Sequence, residues 1–231
     1  MELYDVMRTT FAARDFVDEP VPDEVLHRIL DNARFAPSGG NRQGWRVIVV
    51  RDSAKREALV SLIEPTFRRY LAEVRAGANP WNVVEPAEVS QEALDAVVIP
   101  PGFIERLVRA PVLLLVTVDL AVVAAMDRHL SRIGVVPGGS IYPFVWNILL
   151  AARNEGLGGT LTTFVAAREP DVKALFDIPE SHAVAAMLPM GKPMRQLTRL
   201  SRKPVGAFAT VDGFEGAALA ERADEATGPK A

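Results

Sequence analysis

The chain contains no cysteine and only three histidines among its 231 residues. The lack of cysteine excludes disulfides, thiolate nucleophiles, and zinc or iron–sulfur sites built on cysteine. His27, His129 and His182 lie far apart in the sequence, so a histidine-based metal site or catalytic triad is not expected. We therefore expect no metal, and a chain without cysteine fits a cytoplasmic protein.

Strong charge and long apolar runs are missing as well. The net charge is −3, which gives no general attraction to nucleic acid or to an anionic membrane. The longest apolar runs, such as residues 111–118, are far shorter than the roughly 20 residues of a membrane-spanning helix. The first residues, Met-Glu-Leu-Tyr-Asp, lack the basic and apolar regions of a signal peptide. We expect no nucleic-acid partner and no membrane partner.

What is present is enough apolar sequence for one sizeable domain, since 49% of the residues are hydrophobic. Apolar spacing and Pro/Gly breaks predict the regular elements. The predicted helices are 2–8, 23–35, 54–76, 120–130, 140–154 and 169–176, and the predicted strands are 45–51, 111–118, 160–165 and 183–190. Residues 77–105 are rich in Pro and Gly and predict an irregular lid with a short helical piece near 88–97.

The most informative stretch is the loop 36–46, which reads Ala-Pro-Ser-Gly-Gly-Asn-Arg-Gln-Gly-Trp-Arg. It lies between a predicted helix and a predicted strand, where loops often carry function. Its flexible backbone amides, hydroxyl and two carboxamides suit a planar ligand with many acceptors along its edge. They do not suit a metal or a charge relay.

Basic residues form three further candidate regions. Arg8-Thr9-Thr10 follows the first helix with Arg14 close behind, and arginine with hydroxyls suits phosphate, although a solvated helix end is the alternative. A second group, Arg195, Arg199, Arg202 and Lys203, follows the last strand and forms either a second anion site or a solvated basic turn. The third group, Arg68, Arg69 and Arg75 on helix 54–76, forms either a solvated face or a contact for a substrate phosphate.

Glycines 156, 158 and 159 are not a dinucleotide fingerprint, because they follow a helix and precede a strand, the reverse of the Rossmann order. They do permit close approach of backbone N–H groups to a flat ligand.

These segments together resemble the FMN-dependent nitroreductase family over nearly the full length. The matching pieces, in the family's order, are Arg8-Thr9-Thr10 with Arg14 and Phe16; Pro20-Val21; the loop 36–43 with Trp45; residues 147–152 leading into 156–158; Gly191-Lys192-Pro193; and Arg202-Lys203-Pro204. The spacing from Arg8 to Arg14 is longer than is usual in the family, and Trp146 stands where related sequences often carry Gln.

The resemblance implies an α+β fold with a mixed, mostly antiparallel sheet wrapped by helices. It further implies a domain-swapped homodimer with FMN at the interface. Residues 1–207 would form the FMN-binding domain, with 77–105 as the lid, and residues 208–231 the C-terminal arm and tail that cross onto the second subunit.

In this resemblance, the FMN phosphate contacts come from both ends of the chain. Arg8 and Arg202 are similar to the family's phosphate ligands, Thr9 or Thr10 adds a hydroxyl, and Lys203 is a neighbour.

The contacts to the flavin ring come from other segments. Arg14 resembles the basic residue at the N1–O2 edge, where positive charge stabilises anionic reduced flavin. The resemblance implies that the other subunit contacts the ring and ribityl chain through Pro37, Ser38, Gly39 and Asn41. It implies that Gly158, Gly159 and Thr160 offer backbone donors at the N5–O4 edge of the flavin. The other approach to the flavin would be lined by Pro137, Gly138 and Gly139.

The implied activity is a ping-pong oxidoreduction in which NADPH or NADH reduces the flavin, and a nitroaromatic, a quinone or another small electrophile is then reduced. Because the flavin carries the chemistry, no catalytic side chain is required. Three alternatives stay open: another chemistry on the same fold (dehalogenation, enone reduction or flavin breakdown), a non-catalytic flavin-binding protein, and a protein that binds another nucleotide or no ligand.

Overall fold

The computed structural model describes residues 1–220, which fall into two units, residues 1–197 and residues from 198 onward. Every named helix and strand lies in the first unit. The helices are α1 (Leu3–Thr9), α2 (Asp23–Ala33), α3 (Ser53–Arg75), α4 (Gln91–Asp95), α5 (Phe103–Val108), α6 (Tyr142–Asn154) and α7 (Glu169–Phe176), and the strands are β1 (Trp45–Val49), β2 (Val112–Asp119), β3 (Gly158–Gly159) and β4 (His182–Gly191).

The four strands form one sheet in the order β1-β2-β4-β3, and every strand pairing in it is antiparallel. Within residues 1–220, the one parallel pairing is an isolated bridge between Ala12 and Gly159. The predicted α+β fold with a mostly antiparallel sheet is therefore confirmed.

The side chains of β2 explain why helices cover both faces of this sheet. Successive residues of a strand point to opposite faces, and β2 is apolar at nearly every position. Its even-numbered residues from Val112 to Val118 pack with α2 and α6, whereas Leu113 and Leu115 pack with α3, α5 and α7. A strand buried on both faces needs this continuous apolar run.

Two of the predicted elements are wrong. The segment 120–130 contains only a 3₁₀ turn at Leu120–Val122 and then irregular turns. The predicted strand 160–165 is replaced by the two-residue strand β3, a single bridge at Thr162, and a 3₁₀ turn at Phe164–Arg168. The element that the sequence did not predict is α5.

The second unit has little regular structure in its described part. It contains a 3₁₀ turn at Val205–Ala207 and a bridge between Thr210 and Ala218. Part of the predicted arm and tail, residues 221–231, lies outside the described residues. Within residues 1–220, no helix is long and apolar enough to cross a membrane.

Candidate functional site

Three residues of the loop 36–46 have a left-handed backbone conformation. Gly40, Asn41 and Gln43 have φ values of 61°, 52° and 50°. Left-handed backbone is costly for residues other than glycine, and such strain tends to occur at functional sites. Local hydrogen bonds hold it, because Ser38 Oγ accepts from Gln43 N at 3.0 Å and Gln43 Nε2 donates to Asn41 Oδ1 at 3.0 Å.

The same loop is fixed against the start of α6. Gly39 N donates to Ser140 Oγ at 3.2 Å, and the Trp45 ring stacks on Phe144 with centroids 4.5 Å apart. This contact brings Ser38, Gly39 and Asn41 close to the turn Val136–Ser140, which contains the predicted residues Pro137, Gly138 and Gly139. A Cβ added at Gly139 would meet no atom within 4 Å, so this turn has an open side.

The predicted phosphate residues at the N-terminus lie at the other end of α6. Thr9 Oγ1 accepts from Arg153 Nε at 2.9 Å, in the last turn of that helix. Arg8 is exposed, with its guanidinium 5.9 Å from the centre of the Tyr4 ring, and it pairs with no carboxylate of residues 1–220. Its charge is therefore available to an anion. The Thr10 hydroxyl, directly after α1, is buried and donates to Val6 O in that helix at 2.7 Å.

Arg14 and the β3 glycines form a third part of the site. Ala13 N donates to Gly159 O at 3.1 Å, which places the 12–14 segment along β3. Arg14 is exposed and donates to Ala12 O at 3.2 Å. A cleft of about 320 Å³ beside it is lined by residues 11–15 together with Met194, Arg195 and Leu197.

The structure gives the β3 glycines a packing reason that the sequence did not show. A Cβ on Gly159 would lie 2.6 Å from Met190 Cγ, and one on Gly158 would lie 3.0 Å from Ala13 Cβ. These glycines are needed for contact with neighbouring protein. The Thr160 amide donates to Pro189 O at 3.2 Å, so it is already used in the sheet.

Arg202 and Lys203 belong to the second unit. Both are exposed, and Arg202 Nη1 donates to Ser201 O at 2.7 Å. Their assignment to the FMN phosphate stays a prediction.

The arginines on the basic face of α3 are bonded to neighbouring parts of the chain. Arg68 donates to Val97 O at 2.8 Å and Arg75 to Ala96 O at 3.0 Å, so both hold the segment 77–105. Arg69 pairs with Glu73 at 2.7 Å, and its guanidinium lies 4.9 Å from the Trp81 ring centre. These arginines therefore brace the segment 77–105, and their contact with a substrate phosphate stays a hypothesis.

Asp127 is a charged residue that the sequence reasoning missed. Its side chain is 5% exposed, and Oδ2 accepts from Val135 N at 2.7 Å, Arg132 Nη1 at 2.9 Å and Val136 N at 3.2 Å. The Val135 amide, followed by the Arg132 guanidinium, lowers the pKa of Asp127 to about 2. No local sequence pattern signals this contact, because its donors follow by five to nine residues in an irregular loop.

In the part of the chain that the structure describes, titratable side chains are not gathered into a metal site. Among residues 1–220, no group of three or more His, Cys, Asp or Glu side chains could hold a metal ion.

Comparison with known proteins gives a consistent result. The model of the nitroreductase family matches residues 7–192. A nitrobenzene nitroreductase of Ectopseudomonas oleovorans is 29% identical over 205 residues, covering 81% of this chain and 85% of that protein. A 5,6-dimethylbenzimidazole synthase of Rhodospirillum rubrum is 30% identical over 200 residues, covering 83% and 85%. A crystal structure of oxidised iodotyrosine deiodinase bound to FMN and 3-iodo-L-tyrosine is similar with a TM-score of 0.63 and 26% identity, covering 88% of this chain and 96% of that one.

Proposed function

Because the chain belongs to the nitroreductase family, we propose that it is an FMN-dependent oxidoreductase that works as a homodimer. It uses NADPH or NADH to reduce nitroaromatics, quinones or similar electrophiles. When bound, FMN supplies the chemistry, since it accepts hydride from the nicotinamide and passes two electrons to a second substrate. The protein binds the cofactor, orients it and excludes water.

One observation carries the proposal: within the first unit, two groups of the predicted FMN residues lie at opposite ends of α6. The loop with Ser38 and Gly39 meets Ser140, just before the helix, whereas Thr9 meets Arg153 in its last turn. The helix has 13 residues and is therefore about 20 Å long. A phosphate held by Arg8 and a ring held by Ser38 of the same chain would be about a helix length apart. In a dimer with a two-fold axis, the start of α6 in one chain can lie beside the end of α6 in the other chain, and the symmetry creates this arrangement twice.

The chemistry of both half-sites fits FMN. Arg8 offers an exposed guanidinium to a phosphate, which arginine binds with short, charge-assisted hydrogen bonds. At the other half-site, the Asn41 side chain retains its amide donors, because only its Oδ1 is used in the loop. The open side of Gly139 gives a flat ring room against backbone.

The surface beside α6 supports a second copy. Leu3, Tyr4 and Met7 of α1 are exposed, as are Tyr142 and Trp146 of α6. A groove of about 330 Å³ lies between α1, α2 and α6. Exposed apolar patches of this kind mark association surfaces.

The reaction type distinguishes this proposal from the alternatives. The relatives include a nitroreductase, a 5,6-dimethylbenzimidazole synthase and a deiodinase, so family membership alone leaves the second substrate open. We favour nitro or quinone reduction because it needs hydride delivery and an open apolar approach, and no catalytic side chain.

The test is an absorption spectrum of the purified protein after incubation with FMN and desalting, followed by anaerobic titration with NADH and NADPH. The account predicts a bound flavin that is bleached by a pyridine nucleotide and reoxidised by nitrobenzene. A colourless protein would contradict FMN binding, and a flavin that neither nucleotide bleaches would favour a non-catalytic flavoprotein.

A further inference from the structure

The end of α1 is held by side chains from two other segments of the first unit. Arg153, in the last turn of α6, donates from Nε to Thr9 Oγ1 at 2.9 Å, and Gln196 donates from Nε2 to Thr9 O at 3.0 Å. Thr9 directly follows Arg8, the residue proposed to bind the FMN phosphate. Arg153 therefore brings a second guanidinium to the N-terminal half-site, although it lies 144 residues after Thr9.

The threonine hydroxyls beside Arg8 both donate their protons within the protein. Thr9 Oγ1 donates to Asp5 O at 2.6 Å, and Thr10 Oγ1 donates to Val6 O at 2.7 Å. A hydroxyl has a single proton, so neither has one left for a phosphate in this arrangement. A phosphate monoester carries about two negative charges and three strong acceptor oxygens. Such a group is best satisfied by more than one cation.

Arg153 has donors that no group of the described chain uses. Its guanidinium has five N–H groups, and within residues 1–220 only the one on Nε is hydrogen-bonded. The nearest acidic residue in the sequence, Glu155, pairs instead with Arg28 at 2.7 Å. Arg153 is half-buried, which leaves its remaining N–H groups room to contact a ligand.

We propose that Arg153 is a further phosphate-binding residue of the flavin site and that, with Arg8 of the same chain, it makes the site select FMN over riboflavin. The inference rests on the proposed function, because the phosphate is that of FMN. Thr9 holds Nε, which leaves the planar fork of Nη1 and Nη2 for two phosphate oxygens. Two cations beside one helix end repel each other, and a bound phosphate removes this repulsion.

The assignment is tested by titrating the full-length protein, freed of flavin, with FMN and separately with riboflavin, which lacks the phosphate. In Arg153→Gln the amide nitrogen takes the place of Nε, so the variant can keep the bond to Thr9 while it loses Nη1, Nη2 and the charge. The Kd for FMN should rise about ten- to a hundred-fold, and the Kd for riboflavin should stay at the parent value.

Two further variants separate a phosphate contact from support of the helix end. Arg153→Met removes the bond to Thr9 as well, and it should weaken FMN binding about as much as Arg153→Gln does. Arg168→Gln is the matched control, because it removes the same groups from a surface arginine that is paired with Asp171 at 2.7 Å. Its Kd for both flavins should equal that of the parent.

The other outcomes contradict either the inference or the proposed function. An unchanged Kd for FMN in Arg153→Gln overturns the inference, and so does an equal rise in the Kd values for FMN and riboflavin, because Arg153 would then only support the fold of the site. Weakening by Arg153→Met alone overturns it for the same reason. Absence of FMN binding by the parent would overturn both. A parent whose bound FMN is bleached by neither NADH nor NADPH would sink the proposed reduction, whereas a raised Kd for FMN in Arg153→Gln would still support the phosphate contact.

Discussion

At the scale of single residues, Arg8 is an exposed arginine that has no acidic partner within residues 1–220. Arg28, Arg51, Arg69 and Arg132 each pair with a carboxylate. An exposed cation without such a partner at the end of α1 is ready to meet a phosphate. The charge-assisted contact is worth about 1.5–3 kcal/mol.

Arg8→Ala and Arg202→Ala should therefore weaken FMN binding about ten- to a hundred-fold. Isothermal titration of the apoprotein with FMN measures the effect. Arg51→Ala is the control, because Arg51 is also exposed but is paired with Asp23. If both test variants bind FMN like the parent, the phosphate assignment is wrong.

Asp127 makes a prediction about pH. Its pKa lies at about 2, below the ordinary 3.8, so its ionised form stabilises the fold. This contribution is complete above pH 3.8 and is lost as the pH falls through about 2. The amide resonances of Val135 and Val136 should titrate in that window.

Asp127→Asn supplies the control for this titration, since it has no proton to take up. Its Val135 and Val136 resonances should not move between pH 4 and pH 2, a window set by the lowered pKa of the parent carboxylate. A parent midpoint near pH 4 would show that the carboxylate is not held by its neighbours.

At the scale of elements, α3 and the segment 77–105 act as one piece. Glu73 is 1% exposed, and its two oxygens accept from Arg69 Nε and from Trp81 N, each at 2.7 Å. Burial raises the pKa of Glu73, but the Trp81 amide and the Arg69 guanidinium together lower it below the ordinary value. The proposed lid is thus anchored at its start by a buried ion.

Glu73→Gln should release this anchor. The variant removes a hydrogen-bonded charge and leaves Arg69 without its partner. This should lower the free energy of local unfolding of the segment by about 2 kcal/mol, which raises its opening equilibrium constant roughly thirty-fold. Limited proteolysis should therefore cut residues 77–90 faster. Glu57→Gln is the matched control on the same helix, because Glu57 pairs with Arg109 at the surface, where such pairs contribute about 0–1 kcal/mol. Equal cleavage of the two variants would contradict the anchor.

The elements also show what the sequence can and cannot predict. The helix 23–33 and the strand 112–119 follow from apolar periodicity, because their burial pattern is local. The apolar run after β2 has no helix because Asp127 bonds to later backbone amides, and side-chain bonds to backbone compete with helix formation. The sequence gives no sign of the bracing by Arg68 and Arg75 either, since their carbonyl partners are 29 and 21 residues away, respectively.

For the candidate site, sequence reasoning predicted the segments better than the role of each group. The loop 36–46 and the turn at Pro137 lie together as a ligand-binding surface requires. The sequence predicts that the β3 glycines let a flat ligand approach the backbone, and the structure adds that their Cβ positions face Ala13 and Met190. The neighbours that a Cβ on these glycines would meet depend on how the strand packs, and no single segment of the sequence determines that packing.

At the scale of the whole molecule, the proposal requires two chains. Twice the chain mass of 25.1 kDa predicts a particle of about 50 kDa in light scattering. Trp146 is 44% exposed on α6, so Trp146→Glu places a charge in the proposed interface. This variant should be monomeric and should lose FMN.

Val74→Glu is the control for the interface, because Val74 has a similar exposure of 46% but lies on α3. It should remain dimeric with its flavin. A parent protein that is monomeric with FMN bound would contradict the shared site.

The most direct test of the central claim is complementation between two defective chains. Arg8→Glu repels the phosphate at one end of α6, and Gly139→Phe fills the open side of the turn at the other end, where an added Cβ meets no protein atom within 4 Å. Neither variant alone should retain FMN. When the two are co-expressed with different tags, random pairing should give about a quarter of all sites both intact halves. FMN absorbance in the doubly tagged dimers is the predicted result, and colourless mixed dimers would show that each chain forms its site alone.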